Sequence, residues 1–133
     1  MAATILRGVG TSGLSIVPLI AVVDDDPAIR QALTDLLEVF EFRSRAFESA
    51  EQFLAAHAAG RFNCLITDLD LVGSSGLDLL KQVKAAEPRL PVIIVSAQDT
   101  PSLRAQAEHA GAQAYLVKPL DHQALLALLA SAS

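Results

Sequence analysis

Tryptophan is absent from this chain of 133 residues, and its aromatics are one tyrosine and five phenylalanines. With so few rings, a core has to come mostly from Leu, Ile, Val and Ala, a palette that suits helices packed on a sheet. There is one cysteine, so no intramolecular disulfide can form, and no Cys/His pair has metal-ligand spacing. That cysteine, Cys64, lies in the apolar run Cys64-Leu65-Ile66 and reads as a buried core thiol. Basic residues are outnumbered, with 10 Lys and Arg against 15 Asp and Glu. They form no cluster of the kind a nucleic-acid surface needs, so direct nucleic-acid binding is excluded. No apolar run approaches the ~20 residues of a membrane span. The stretch from Met1 to Leu19 is broken by Arg7, Gly8, Gly10, Thr11, Ser12 and Gly13 and lacks a small-residue cleavage site, which argues against a signal peptide. The expectation is a soluble, cytoplasmic protein.

What is present is 52% hydrophobic sequence, enough for a continuous core in one compact domain. Residues 1–18, rich in Gly, Ser and Thr, read as a flexible extension, and 19–133 as the domain. Leu19 to Val23 is a buried strand ending in Asp24-Asp25-Asp26-Pro27. A helix over about Ala28 to Phe40 follows, with Ile29, Leu33, Leu36, Leu37 and Phe40 at helical spacing and Asp26 as N-cap before a first-turn proline. Phe42 to Phe47 is a weaker strand, and Ser49 to Ala58 a second helix ending near Gly60. Phe62 to Thr67 is a strand that runs into Asp68. A loop with Gly73, Ser74, Ser75 and Gly76 leads to a helix over Leu77 to Ala86. Then come strand Val92 to Val95, helix Ser102 to Ala110, strand Ala114 to Val117 and helix His122 to Ala130. Five β–α units of this kind predict a parallel sheet covered on both faces. Its functional crevice would lie at the carboxyl ends of the strands.

The polar residues gather at those ends. Strand 1 delivers Asp24, Asp25 and Asp26, strand 3 Asp68, strand 4 Ser96 and strand 5 Lys118. Carboxylates placed together resist ionisation unless a cation joins them, and a hard divalent ion such as Mg²⁺ answers that need. A carboxylate beside Mg²⁺, an ammonium and a hydroxyl is a site for phosphoryl transfer, with the carboxylate attacking in line. Each piece alone has a blander reading: Asp-Asp before proline is a helix cap, Ser96 a turn residue, Lys118-Pro119 an exposed turn. Their convergence at four separate strand ends favours chemistry. His57, His109 and His122 fall in helical segments and read as spectators far from that edge.

The segments LIAVVDDDPAIR, CLITDLDLVGSSGLDLL, PVIIVSAQD and AGAQAYLVKPL together resemble the receiver domains of two-component response regulators, over Leu19 to about Ala130. The resemblance implies a doubly wound (βα)5 flavodoxin-like α/β fold, with strand order 2-1-3-4-5. It implies that Asp68 is the phosphoacceptor and that Asp24 and Asp25 form the Mg²⁺ pocket, with Asp25 the direct ligand and the Asp70 carbonyl a further one. Ser96 takes the place of the switch hydroxyl, Lys118 that of the conserved-type lysine before a cis proline, and Tyr115 that of the switch aromatic. The donor in that family is a phosphohistidine on a histidine kinase or histidine phosphotransfer protein. The output surface is helix 4, strand 5 and helix 5, about Ser102 to Ala130. With no output domain after the last helix, the signal is expected to leave by contact with a second copy or a separate effector. The chain would be a phosphoacceptor rather than a turnover enzyme.

Two departures from the family pattern stand out. Leu71-Val72 replaces the common Met-Pro, and Asp70 adds an acid two residues past the acceptor. With Gln98, Asp70 occupies a position at which the family tunes phosphoryl lifetime. Two other functions fit parts of the pattern. LITDLDLV also resembles the signature of haloacid-dehalogenase-type phosphatases, in which Asp70 would be the general acid/base. Against this, the acidic pair precedes the nucleophile, the nucleophile is not on the first strand, and there is no room for a cap. A phosphorylation-independent interaction module on the same fold is the other alternative.

Overall fold

Alternating apolar runs and amphipathic stretches become alternating strands and helices in a computed structural model that describes residues 17–71 and 73–131. The main strands are β1 (Leu19–Val23), β2 (Arg43–Phe47), β3 (Cys64–Asp68), β4 (Val92–Ser96) and β5 (Ala114–Val117). The helices are α1 (Pro27–Val39), α2 (Ala50–Ala56), α3 (Gly76–Ala86), α4 (Pro101–His109) and α5 (His122–Ser131). All neighbouring strands pair in parallel, in the order β2-β1-β3-β4-β5. This is the doubly wound topology expected.

The continuous apolar strands are explained by burial on both faces. Side chains alternate across the sheet, so Ile20, Val22, Ile66, Ile93 and Val95 pack with Leu33 and Leu37 of α1 and Leu125 and Leu129 of α5. Ala21, Val23, Leu65, Val92 and Ile94 pack on the other side with Phe53 of α2, Leu79, Leu80 and Val83 of α3 and Ala107 of α4. The few rings are concentrated there. Phe47 meets Phe53 edge-on at 5.5 Å, and Phe53 lies 5.4 Å from Phe62. Cys64 is buried as expected, and burial pushes its thiol up to about 12. The edge strand β2 exposes Arg43 and Arg45, charges that discourage further strand pairing.

Several boundaries differ from the sequence reading for local reasons. Ser49 is the N-cap of α2, accepting from the Gln52 N–H at 3.1 Å, rather than its first residue. His57 lies just beyond α2 and is held by Glu87 at 2.8 Å. Strand β3 starts at Cys64, two residues later than expected, and includes Asp68. The loop after it contains a short antiparallel ribbon, Asp70–Leu71 against Ser74–Ser75, which the sequence did not suggest. Val72 and residues 1–16 of the expected extension lie outside the described residues.

Phe42 is not a strand residue because it closes α1. Its N–H donates to the Leu37 carbonyl at 2.9 Å and the Glu41 N–H to the Glu38 carbonyl at 2.9 Å. Phe42 and Leu37 are both buried, which completes a Schellman closure. The left-handed position falls on Glu41, with φ 69°. A non-glycine residue there costs about 1–2 kcal/mol, and glycine would give back about 0.4–1 kcal/mol through a freer unfolded chain. Glu41→Gly is therefore expected to stabilise the fold by roughly 0.5–1 kcal/mol. The readout is a higher urea midpoint at unchanged slope, and an unchanged or lower midpoint would refute it.

Candidate functional site

The carboxyl ends of β1, β3, β4 and β5 open on one edge of the sheet. Asp24 directly follows β1 and is 1% exposed; Asp68 ends β3 at 6%, and Ser96 ends β4 at 0%. Lys118 follows β5, and its Nζ lies 3.4 Å from both Asp24 Oδ2 and Asp68 Oδ1. The carboxylates of Asp24, Asp25 and Asp68 each place an oxygen within 4.8 Å of the others, so the cluster can hold a metal ion. Asp26 does not join them. Its carboxylate accepts from the Ala28 N–H at 2.9 Å and caps α1.

Local backbone contacts set these positions. Asp24 Oδ1 accepts from the Asp26 N–H at 2.9 Å, and the Asp24 carbonyl accepts from Arg30 Nη1 at 2.7 Å. Arg30 was not singled out in the sequence, although it stands one helical turn beyond the cap and so returns to the acidic end of α1. Gly76 was read as an ordinary loop glycine. A Cβ on it would lie 2.2 Å from the Asp68 carbonyl oxygen and 2.9 Å from Leu69 Cα. Its N–H donates to the Leu69 carbonyl at 2.7 Å, so α3 can start against the end of β3 only because no side chain intervenes.

The electrostatics follow from burial. Asp68 is pushed above the ordinary carboxylate range by burial first and the Asp24 charge second, against the opposing pull of Lys118. Burial alone would lower Lys118, but Asp24 and Asp68 together outweigh it and raise that group. Asp68 therefore favours a proton, or a cation beside it.

The remaining expected residues meet at Gln98. Ser96 Oγ accepts from the Gln98 N–H at 2.9 Å, and the Tyr115 hydroxyl donates to the Gln98 carbonyl at 2.6 Å. The Gln98 side-chain amide donates to both Asp70 oxygens, at 3.2 and 3.3 Å. The Asp70 carboxylate is thus exposed and outside the acidic cluster. His122, expected to be a spectator, is exposed at the start of α5. With Lys118, Pro119 and Leu120 it lines an apolar groove of about 490 Å³ against Ala28, Ile29 and Leu36 of α1. His109 ends α4, exposed. The peptide between Lys118 and Pro119 is cis, as the resemblance implied.

The profile of the response regulator receiver domain matches residues 20–130. The chain belongs to that family. The receiver is 34% identical to the transcriptional regulatory protein FixJ of Bradyrhizobium diazoefficiens over 113 residues, 85% of the chain and 55% of FixJ. It is 38% identical to the DNA-binding transcriptional regulator NtrC of Salmonella typhimurium, over 84% of the chain and 24% of NtrC. The chain thus spans about half of one relative and a quarter of the other. A response regulator receiver protein from Pseudomonas putida superposes with a TM-score of 0.81 at 32% identity, covering 89% of this chain and 99% of that one. The receiver domain of DrrB activated with BeF3 gives 0.81 at 27% identity, over 88% and 97%. Among the described residues, no helix is long and apolar enough to cross a membrane.

The raised Asp68 carries a stability consequence. A buried acid whose proton is held more tightly in the fold than in the unfolded chain loses stability as pH rises from the ordinary carboxylate value through its own. At neutral pH, without divalent ions, Asp68→Asn removes that penalty. The variant is expected to melt a few degrees above the wild type, with the gap closing as pH falls below the ordinary carboxylate range. Equal melting temperatures at pH 7 in chelator would contradict this account.

Proposed function

We propose that this receiver accepts a phosphoryl group on Asp68 from a phosphohistidine of a histidine kinase or histidine phosphotransfer protein, in a Mg²⁺-dependent reaction in the cytoplasm. The observation that carries the reading is the buried Asp68 carboxylate, 3.4 Å from the Lys118 ammonium and grouped with Asp24 and Asp25. Three carboxylates against one ammonium form a hard oxygen donor set suited to Mg²⁺. Asp24, Asp25 and Asp68 would hold the ion, with the Asp70 carbonyl as a further ligand. When bound, the ion supplies positive charge that offsets the transferring phosphoryl oxygens.

The chain's own groups do the rest. An Asp68 oxygen attacks phosphorus in line, the O–P bond forms as the N–P bond breaks, and the imidazole of the donor leaves. Lys118 neutralises a phosphoryl oxygen, and Ser96 moves toward the phosphoryl group, drawing away from the Gln98 N–H, and donates its hydroxyl proton to another oxygen. That exchange disturbs the loop between β4 and α4, to which Tyr115 is bonded, and so reaches the α4–β5–α5 surface. A second copy or a separate effector reads the change there. The phosphoryl group is later lost to water, so the protein is a phosphoacceptor and not a turnover enzyme. Family membership weighs against the haloacid-dehalogenase-type alternative.

Incubation with acetyl phosphate and Mg²⁺, followed by intact mass, tests the acceptor. A phosphoryl adduct is expected on the wild type and not on Asp68→Ala. Absence of both the adduct and Mg²⁺ binding in the wild type would leave a phosphorylation-independent interaction module. Asp70 adds a second expectation: its carboxylate, held by Gln98 beside the acceptor loop, can orient and deprotonate attacking water. Asp70→Asn should slow loss of the adduct severalfold, and an unchanged decay would remove Asp70 from the reaction.

A further inference from the structure

Tyr115 is held by more than its hydroxyl. The guanidinium carbon of Arg104, on α4, lies 5.1 Å from its ring centroid. Arg104 Nη1 reaches the Tyr115 carbonyl at 3.5 Å, and Arg104 Nε donates to Asp99 Oδ1 at 2.6 Å. Asp99 stands in the β4–α4 loop beside Gln98, whose carbonyl accepts the Tyr115 hydroxyl at 2.6 Å. The ring is thus tied at its tip to the loop, and its face is covered by a cation tied to the same loop.

As an ion pair, Asp99–Arg104 would contribute little, since both side chains are about half exposed, at 56% and 46%. Its geometry does something else. A planar guanidinium can give one edge to a carboxylate while its face lies on a ring. Asp99 therefore fixes the orientation in which Arg104 covers Tyr115. The sequence gives no hint of this, because Asp99, Arg104 and Tyr115 come from a loop, a helix and a strand.

We propose that Arg104, oriented by Asp99, is a positioning residue that latches the Tyr115 ring to the β4–α4 loop. This rests on the reading of Tyr115 as the switch aromatic. The ring leaves its position only by leaving the guanidinium, so movement of the loop, of α4 and of β5 is coupled through one side chain. The chain departs from a freely rotating aromatic in that respect, and the barrier to the switch is set partly on α4, outside the acceptor site.

The composition provides the probe. Tyr115 is the one tyrosine and tryptophan is absent, so tyrosine emission of the full chain reports this ring alone. Acrylamide quenching of that emission is compared for wild type, Arg104→Ala, Arg104→Met and Arg104→Lys, with circular dichroism verifying the fold of each. Removal of the cation that covers this half-buried ring is expected to raise the quenching constant roughly two- to five-fold in Arg104→Ala. Arg104→Met should behave like Arg104→Ala, and Arg104→Lys should recover part of the wild-type protection. Asp99→Asn should fall between wild type and Arg104→Ala. Quenching in Arg104→Ala equal to wild type overturns the latch, and so does full protection by Arg104→Met, which would mean that any apolar cover suffices. Addition of beryllofluoride and Mg²⁺ to the wild type separates the two readings. No change in emission there would sink the switch role of Tyr115, while the quenching contrast still decides whether Arg104 holds the ring.

Discussion

Burying Asp68 beside Asp24 is the constraint on which the rest of the structure depends. Two acids nearly withdrawn from water repel each other and lose solvation, and each effect alone opposes ionisation. The Lys118 ammonium at 3.4 Å from both offsets part of that cost. It does not offset all of it, because Asp68 remains above the ordinary carboxylate range. The site is therefore under electrostatic tension that a divalent ion or a proton relieves. A fold tolerates such tension only where the surrounding structure fixes the groups firmly.

That firmness comes from the sheet. Asp24, Asp68 and Ser96 sit at the last residue of a central strand or just past it, and β1, β3 and β4 are apolar and buried on both faces; Lys118 follows the edge strand β5. Moving the Asp68 backbone relative to its neighbours would require shifting β3 out of register with β1 and β4. The close approach of Gly76 to the Asp68 carbonyl adds a second restraint, since α3 begins against the backbone that carries Asp68. Arg30 does the same for Asp24 from the α1 side. The tension is thus held by backbone placement and not by the side chains of Ser96 and Tyr115, which bond to the Gln98 backbone instead.

The fold and the acidic edge were legible in the sequence for a shared reason. A strand buried on both faces is a short run of Val, Ile and Leu, and a polar residue ending that run marks the strand end by itself. Asp24, Asp68, Ser96 and Lys118 all announce themselves in this way. What was not legible depends on distances between elements. Nothing near Gly76 distinguishes a glycine needed for close approach from one that merely bends a loop. The ribbon of Asp70–Leu71 with Ser74–Ser75 carries no alternation longer than two residues. The left-handed Glu41 breaks the preference for glycine that would have marked the end of α1, which is why that helix and the following strand were each placed a residue out.

Gln98 shows how an unremarkable residue type can become a junction. Its N–H occupies the Ser96 hydroxyl, its carbonyl accepts from Tyr115, and its side chain grips Asp70. In the proposed reaction, a pull on Ser96 toward Asp68 would lengthen the first of those bonds. Strain would then pass through the Gln98 backbone to the edge strand and through its amide to the loop beyond Asp68. Only the second route uses the identity of the side chain; the first would survive substitution, because it runs through backbone groups. A substitution at Gln98 should therefore separate the behaviour of Asp70 from that of Tyr115. In a network of this kind, backbone links preserve the transmission, and the side chain sets which loop responds to it.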